Sequence, residues 1–335
     1  MGFLSNIISR FRRAPVNRYE GAGNSIRRSW LDTTYTSIRF DCSSSTRTQI
    51  VKKSRFFEQN NAVMNRLGDL FENYTVGSNF SVQPSSSDPE WNQAAKRAWE
   101  KWSRFPDIGS RQSFGTLMGL AARSWFYDGE SFILLTQGAS GRPRLQLIEA
   151  QQVATPNGME SDPSVFDGVR FDPKNGRAIS YFIGQEQQQN QVTDIRSISS
   201  DNVVHIFEPQ RAQQLRGIPF VACVINDLHD LDDLQKLEME ACKLASSVAQ
   251  VIKTASGEVQ ASSLRNGLAS NSDAAQSYYE NVFGASVKVM KHGDDFQQFL
   301  SERPGVNMRE YWRNLTEKVC AGVGIPYVLV FPESM

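Results

Sequence analysis

One stretch limits what this chain can fold into. From Pro219 the sequence runs PFVACVINDLHDLDDLQKLEMEACKLASSVAQVIKTAS, about 35 residues without another Gly or Pro. Proline pre-sets the first helical position and lacks a donor that a helix start leaves unpaired. The spacing therefore predicts one helix from near Pro219 to Ala255, about 50 Å long at ~1.5 Å per residue. Apolar residues recur at Val221, Val224, Ile225, Leu228, Leu231, Leu234, Ala241, Ala245, Val248 and Ile252, mostly three or four apart, a narrow stripe. Asp227, Asp230, Asp232, Asp233, Glu238 and Glu240 lie between them against Lys236. Such a helix packs its seam on other helices and turns an acidic side to solvent.

A chain of 335 residues, 40% apolar and 21% charged, folds as two domains or one elongated subunit. Its net charge of zero hides segregation. Residues 1–70 hold twelve Arg and Lys and five acids, a local charge of +7 that the middle helix balances. Cys42, Cys223, Cys242 and Cys320 are too dispersed for a C-x-x-C pair and read as reduced, mostly buried thiols of a cytosolic protein. The first residues, MGFLSNIISRFRR, suit a short amphipathic helix lying on another surface; they are too short to span a bilayer, and Asn6 departs from the N-myristoylation pattern.

Residues 14–47 are polar and read as an extended arm. Helical periodicity follows over Gln49–Tyr74, with Ile50, Val51, Phe56, Phe57, Val63, Met64, Leu67, Leu70 and Phe71 inward and Val76-Gly77 as its stop. A Trp-rich helix starts after Asp88-Pro89, with Trp91, Ala95, Ala98, Trp99 and Trp102 read as core. Phe114–Tyr127 is a further helix, closed by Asp128-Gly129. The period then switches to two, predicting strands at Ser131–Leu135, Arg144–Ile148, Val165–Phe171, Ala178–Ile183 and Val203–Phe207. Asp172-Pro173-Lys174-Asn175-Gly176 is a hairpin turn, and Gln185–Gln191 reads as a polar loop. The middle of the chain is thus an antiparallel-rich sheet carried by helices, an α+β fold. Beyond the long helix, Gln276–Val282 reads as helical and Ala285–Met290 as a strand. A returning helix spans Asn307–Val323, with Tyr311 or Trp312, Leu315, Val319 and Ala321 inward, stopped by Gly324 and Pro326.

The chemistry-bearing residues are few. Gly138-Ala139-Ser140-Gly141-Arg142 lacks the spacing of a phosphate-binding loop. His229, Asp232 and Asp233 stand at i, i+3, i+4, a spacing open to a divalent metal and so to a metal-dependent nucleic-acid-processing enzyme; a solvated acidic face is the reading adopted. His205 alternates with Val203 and Phe207 and reads as a satisfied sheet histidine, with no nucleophile elbow beside it. Asp128-Gly129-Glu130 offers two carboxylates, or simply a helix-ending turn. No compact basic head suits a DNA-binding regulator. These residues point to a non-enzymatic assembly protein with no metal and no cofactor.

Several motifs, taken in order, resemble those of a known family. Phe57-Glu58-Gln59-Asn60-Asn61-Ala62 followed by Tyr74-Thr75-Val76-Gly77, Asp128-Gly129-Glu130 before a strand, Leu145-Gln146-Leu147-Ile148-Glu149, and Asp167-Gly168-Val169 with Gly176-Arg177-Ala178-Ile179-Ser180-Tyr181 are similar to blocks of the lambda-like portal proteins of tailed bacteriophages. The most specific match is Val204-His205-Ile206-Phe207 with the turn carrying Arg211, Gln214, Arg216, Gly217 and Pro219; Ala212 and Gln213 depart from the Pro and Gly usual there.

The resemblance implies an elongated subunit of a homo-oligomeric ring, a dodecamer, at one capsid vertex of the virion, assembled in the host bacterial cytoplasm. Double-stranded DNA would pass through the ring without sequence specificity, and terminase, capsid or scaffold and head-tail connector proteins would dock on it, with no membrane involved. It implies a basic arm over 1–39, an α/β wing over 40–218, stem helices over 219–255 and 305–324, a small α/β clip over 256–304, and the start of a tunnel loop over 325–335 with Tyr327, Val328, Leu329, Val330 and Phe331 facing the channel. Asp227, Asp230, Asp233 and Glu240 are the candidate acidic residues of the stem. Relatives continue into a crown, so a chain stopping at Met335 is expected to lack it or to be shortened.

Overall fold

Local capping chemistry sets most element boundaries in the computed structural model, which describes residues 36–77, 81–138, 141–187, 191–247, 250–252, 279–282, 285–289 and 306–332. The amphipathic opening segment, most of the arm and the Ser/Asn-rich stretch after Ala255 lie outside the described residues. The chain divides into two units, Met1–Asp41 and Cys42–Met335. In the first, the described residues form one helical turn, Ile38–Asp41, with the Thr36 hydroxyl donating to Asp41.

The second unit starts with α1 (Ser44–Asn60), whose N-cap Ser43 accepts from the Thr46 N–H. Residues 44–47, expected in the arm, are therefore helix. The single helix expected over Gln49–Tyr74 is also two. Asn61 takes an extended backbone (φ −121°), its N–H donates to the Phe57 carbonyl, and its Oδ1 accepts from the Met64 N–H at 2.9 Å. One residue thus ends α1 and caps α2 (Ala62–Thr75). Val51, Phe57, Met64, Leu67 and Leu70 are buried as expected; Phe56 is exposed, on the outer side of α1.

Helix α3 (Pro89–Trp102) is capped by Asp88 but buries none of its residues, so the expectation that its tryptophans form core fails. Trp99 and Trp102 lean on Phe114 with ring centroids 5.0 and 5.8 Å away, and Trp91 is exposed. Helix α4 (Phe114–Asp128) is capped by Ser113 and ends at Gly129 in the left-handed conformation, as expected.

Two antiparallel sheets follow. Strand β1 (Glu130–Gln137) lies between β2 (Pro143–Ile148) and, later in the chain, β7 (Val203–Phe207). The second sheet has the order β3 (Val165–Phe166), β4 (Val169–Phe171), β5 (Ala178–Gln187), β6 (Gln191–Ser199). The single strand expected over Val165–Phe171 is a hairpin, because Asp167 (φ 47°) and Gly168 (φ 80°) are both left-handed and reverse the chain. Of the polar loop expected over Gln185–Gln191, Gln185–Gln187 and Gln191 are strand while 188–190 lie outside the described residues, and β6 has no counterpart in the sequence reading. Its polar side chains mask the alternation, and pairing with β5 decides its conformation. Phe132, Ile148, Val153, Val169, Tyr181, Ile183 and Val203 form the core shared by the two sheets.

The long helix is shorter than its punctuation suggests. Phe220–Cys223 form a 3₁₀ turn, and α5 spans Ile225–Ser247, 23 residues or about 35 Å. Val221, Val224, Ile225, Leu228 and Leu231 are buried, and the seam fades after them, with Leu237 64% exposed. Ile252, expected at its end, belongs to strand β8 (Gln250–Ile252), which pairs parallel with β10 (Ala285–Val289). Where a helix is expected over Gln276–Val282, the described residues are strand β9 (Tyr279–Val282), antiparallel to β10. In both places cross-strand pairing overrides local propensity.

Helix α6 (Val306–Val323) returns and stops at Gly324 (φ 80°). It buries Val319, Cys320, Val323 and Thr316, whereas Ala321, expected inward, is exposed. Of the cysteines, only Cys320 is buried; Cys223 is exposed. The apolar segment after Pro326 is a helical turn, α7 (Tyr327–Val330). Its Val330 joins Phe57, Met64, Leu67, Phe126, Val221, Leu228 and Val319 in the helical core. Each such side chain contributes about 1.5–3 kcal/mol on burial. No helix among the described residues is long and apolar enough to cross a membrane.

Two glycines separate backbone strain from backbone crowding. A Cβ on Gly129 (φ 83°) would stand 2.1 Å from the Ile218 carbonyl carbon, whereas one on Gly176 (φ 75°) meets nothing within 4 Å. Gly176→Ala is expected to cost only the left-handed strain, about 1–2 kcal/mol, and Gly129→Ala substantially more. Thermal unfolding of the two variants side by side checks this, and equal losses would sink the crowding argument.

Candidate functional site

Glu130 begins β1 immediately after the Gly129 turn, and its side chain is fully buried. A carboxylate there is tolerable only with full compensation. Arg216, 2% exposed at its side chain, supplies most of it: Nε lies 3.0 Å from both Glu130 oxygens and one terminal nitrogen 2.6 Å from Oε1. The remaining guanidinium donors reach the carbonyls of Val153 (3.2 Å), Ala150 (3.0 Å) and Asp167. This fork is geometry that lysine cannot reproduce.

Three further elements complete the cluster. Arg47, in the first turns of α1, donates to Glu130 at 3.1 Å and to Asp167 at 2.6 Å. Asp167, in the turn between β3 and β4, also accepts from the Ser44 hydroxyl at 2.7 Å. His205 on β7 places Nε2 3.1 Å from Glu130 Oε2 and Nδ1 3.3 Å from the Tyr181 hydroxyl, its ring stacked on Phe132 at 4.1 Å. The Gly217 N–H adds a last bond to Glu130 Oε2 at 2.8 Å. Two guanidiniums face two carboxylates, so the node is neutral when His205 is neutral, with Nε2–H donating to Glu130 and Nδ1 accepting from Tyr181.

The titration directions follow. Burial pushes the Glu130 carboxyl upward, but the guanidiniums of Arg216 and Arg47 and the hydrogen bonds from His205 and Arg216 hold it well below the usual range. Asp167 is depressed in the same way. Burial moves His205 below its ordinary 6.5 against the pull of Glu130, and pushes the Tyr181 hydroxyl up to about 12.

The backbone is as closely fitted as the charges. A Cβ on Gly217 would lie 2.0 Å from the Gly129 carbonyl oxygen, so the two turns touch main chain to main chain. Gln214 holds the incoming loop, its Nε2 donating to the Arg216 carbonyl and its Oε1 accepting from the Gln210 N–H, both at 2.8 Å. Arg211 offers its carbonyl to the Gln214 N–H, and Pro219 leads into the 3₁₀ turn. Motifs scattered from Asp128 to Pro219 therefore meet at one place. His205 is the satisfied sheet histidine expected, and Glu130 is more than part of a turn. Arg47 is the member that sequence reasoning missed, while Asp167 is read there only as part of a turn motif. Arg47 carried a usable signal, standing in register with Val51, Ser54 and Phe57 on the buried side of α1.

The acidic helix residues disperse. Asp227 pairs with Lys318 of α6 at 2.6 Å, Asp233 with His229 (3.3 Å) and Lys236 (3.7 Å), and Asp230 and Glu240 are exposed. Asp232 instead accepts from the Asn61 amide at 2.7 Å, which separates it from His229. Among the described residues no group of three His, Cys, Asp or Glu side chains is placed to hold a metal ion. Arg313 pairs with Glu317 and lies over the Tyr327 ring. Of the five apolar residues after Pro326, Val328 is exposed, Tyr327, Leu329 and Phe331 are half-buried and Val330 is buried.

The polar cluster joins two sheets, a helix and a loop. The chain belongs to the lambda family of phage portal proteins, whose family model matches residues 26–332. It is 21% identical over 253 residues to the probable portal protein of Halomonas phage phiHAP-1, covering 72% of this chain and 48% of that one. Portal protein B of Escherichia phage lambda is 18% identical over 310 residues, covering 80% and 57%. The chain thus spans about half to three-fifths of the curated relatives it matches. Among solved structures, a chain from the virion of a native gene transfer agent particle aligns with a TM-score of 0.49 at 11% identity, covering 84% of this chain and 70% of that one. Another, from the neck of that type of particle computed with C12 symmetry, aligns at 0.46 with 14% identity, covering 85% and 69%.

Removing one member of the node leaves an uncompensated buried charge. Glu130→Gln is expected to lower the unfolding free energy by about 3–5 kcal/mol, and Arg216→Lys to fail despite keeping the charge; denaturant titration measures both. Acid acts in two stages. Below 6.5 the unfolded chain protonates His205 while the folded chain resists, so stability falls with pH; it falls again below the ordinary carboxylate range, where Glu130 and Asp167 are protonated only after unfolding. His205→Gln should abolish the first stage, and an unchanged profile between pH 7.5 and 5 would refute this assignment.

Proposed function

We propose that the chain builds a ring at one vertex of a phage capsid, the channel through which double-stranded DNA enters and leaves and on which terminase, scaffold or coat, and connector proteins dock. The observation that carries this reading is the family match over 26–332, with the motif residues spent on a single buried joint. In this reading the two sheets and α1–α4 are the wing, α5 and α6 the stem, the β8-β10-β9 sheet part of the clip, and residues 1–39 a basic arm toward other components. Of Tyr327–Phe331, Val328 is the residue left to meet a channel, since its neighbours are drawn toward the core.

DNA carries one charge per ~1.7 Å of axis, and a basic lining would hold it by counterion release. Asp230, Asp233 and Glu240, on the open side of α5, supply the opposite sign and let the duplex slide. Asp227 has a different task, tying α5 to α6 through Lys318.

Mass photometry with negative-stain imaging of the purified chain tests the ring directly: annular particles with a central hole are expected, and a persistent monomer contradicts the proposal for this chain. Reversing Asp230 and Asp233 to Lys together should leave annular particles intact and stall DNA passage. Failure of ring assembly in that variant would assign the two carboxylates to subunit cohesion instead.

A further inference from the structure

Helix α3 has a face that the described fold does not use. On a 3.6-residue wheel Trp91, Ala94, Ala95, Ala98, Trp99 and Trp102 share one side. The C-terminal part of that stripe is seated, with Trp99 and Trp102 against Phe114 and the Trp102 indole N–H donating to the Pro143 carbonyl at 2.8 Å. The N-terminal part is open. Trp91 is 55% exposed, and Ala94 and Ala98 beside it are exposed too. Arg97 and Lys101 border the stripe on one side and Lys96 on the other, all exposed. Glu100 lies on the side opposite the stripe, one turn from Lys96 and Arg97, and Glu90 lies in the first turn on the flank of Arg97 and Lys101, so three cations face two carboxylates along this helix. A large aromatic ring flanked by an excess of cations is the composition of an interface centre, where Trp and Arg dominate binding energy.

We propose that this face of α3 docks an acidic amphipathic helix of a partner protein, with an apolar side chain seated against Trp91 and Ala98 and carboxylates meeting Lys96, Arg97 and Lys101. Charge complementarity selects this occupant. The chain's own amphipathic opening segment carries Arg10, Arg12 and Arg13 and would be repelled. A second copy presenting the same face meets the same repulsion. The proposal does not depend on ring formation, because α3 and its flanking cations belong to a single subunit.

The test uses the whole purified chain and a fluorescein-labelled 18-residue helical peptide with Leu at one face and Glu on its flanks. Fluorescence anisotropy should show saturable binding. Affinity should fall at least about tenfold in Trp91→Ala and in a combined Lys96→Glu, Arg97→Glu, Lys101→Glu variant. Circular dichroism verifies that these surface variants keep their fold. A Lys-flanked peptide of the same Leu pattern should bind the charge-reversed variant and not the original. The proposal is overturned by absent binding, by equal binding of a scrambled acidic peptide, by equal binding of the Lys-flanked peptide to the original chain, or by concentration-dependent self-association that Trp91→Ala abolishes.

Discussion

The fork between Arg216 and Glu130 is the interaction on which the rest of the second unit depends. It is the point where the first strand of one sheet, the turn of the other, the first helix and the loop leading to α5 are tied together. A buried ion pair of this type is a poor source of net stability compared with an apolar replacement. Its value is geometric. Five guanidinium donors in a rigid plane accept only one arrangement of a carboxylate and three carbonyls, so they define how the two sheets and the approach to α5 sit relative to each other.

Apolar packing completes what the node orients. The core between the sheets places Phe132, Tyr181 and Val203 around His205, which keeps water from the node and makes every hydrogen bond within it matter. The helical core lies on the other side of the Gly129–Gly217 contact and joins α1, α2 and α4 to α5, α6 and α7. Secondary ties repeat the logic on the surface of these helices. Arg55 of α1 holds Asp128 at the end of α4 with bonds of 2.7 and 2.8 Å, Arg123 of α4 reaches Glu58 and Asp69, and Asn61 reaches Asp232. The start of α5 is thereby anchored from several directions, while Leu237 and Met239 in its later turns are exposed.

That contrast agrees with the proposed ring. A subunit of such a ring must be rigid where it sets the angle between neighbours and must leave faces open where other chains complete them. Among the described residues, two such open faces are the acidic side of α5 and the Trp91 side of α3, of opposite charge sign.

Helices with a cap and a glycine stop were legible in the residues: α4 between Ser113 and Gly129, and α6 ending at Gly324, follow from side chains acting on their own backbone. So was the hairpin at Asp172–Gly176, and so was the family, since its motifs are backbone requirements written as Gly, Pro and Asp-Gly. Tertiary structure decided the rest. Asn61 splits a helix because its amide is bonded on both sides, β6 exists because β5 pairs with it, and Gln250–Ile252 leave the helix for a parallel partner more than thirty residues away. Above all, Arg47 looks like an ordinary surface charge when read along the chain, and Glu130, Asp167 and Arg216 stand in separate turn motifs with nothing to show that they meet. Only the fold could bring them into one dry volume, because compensating a buried charge is a condition on neighbours in space.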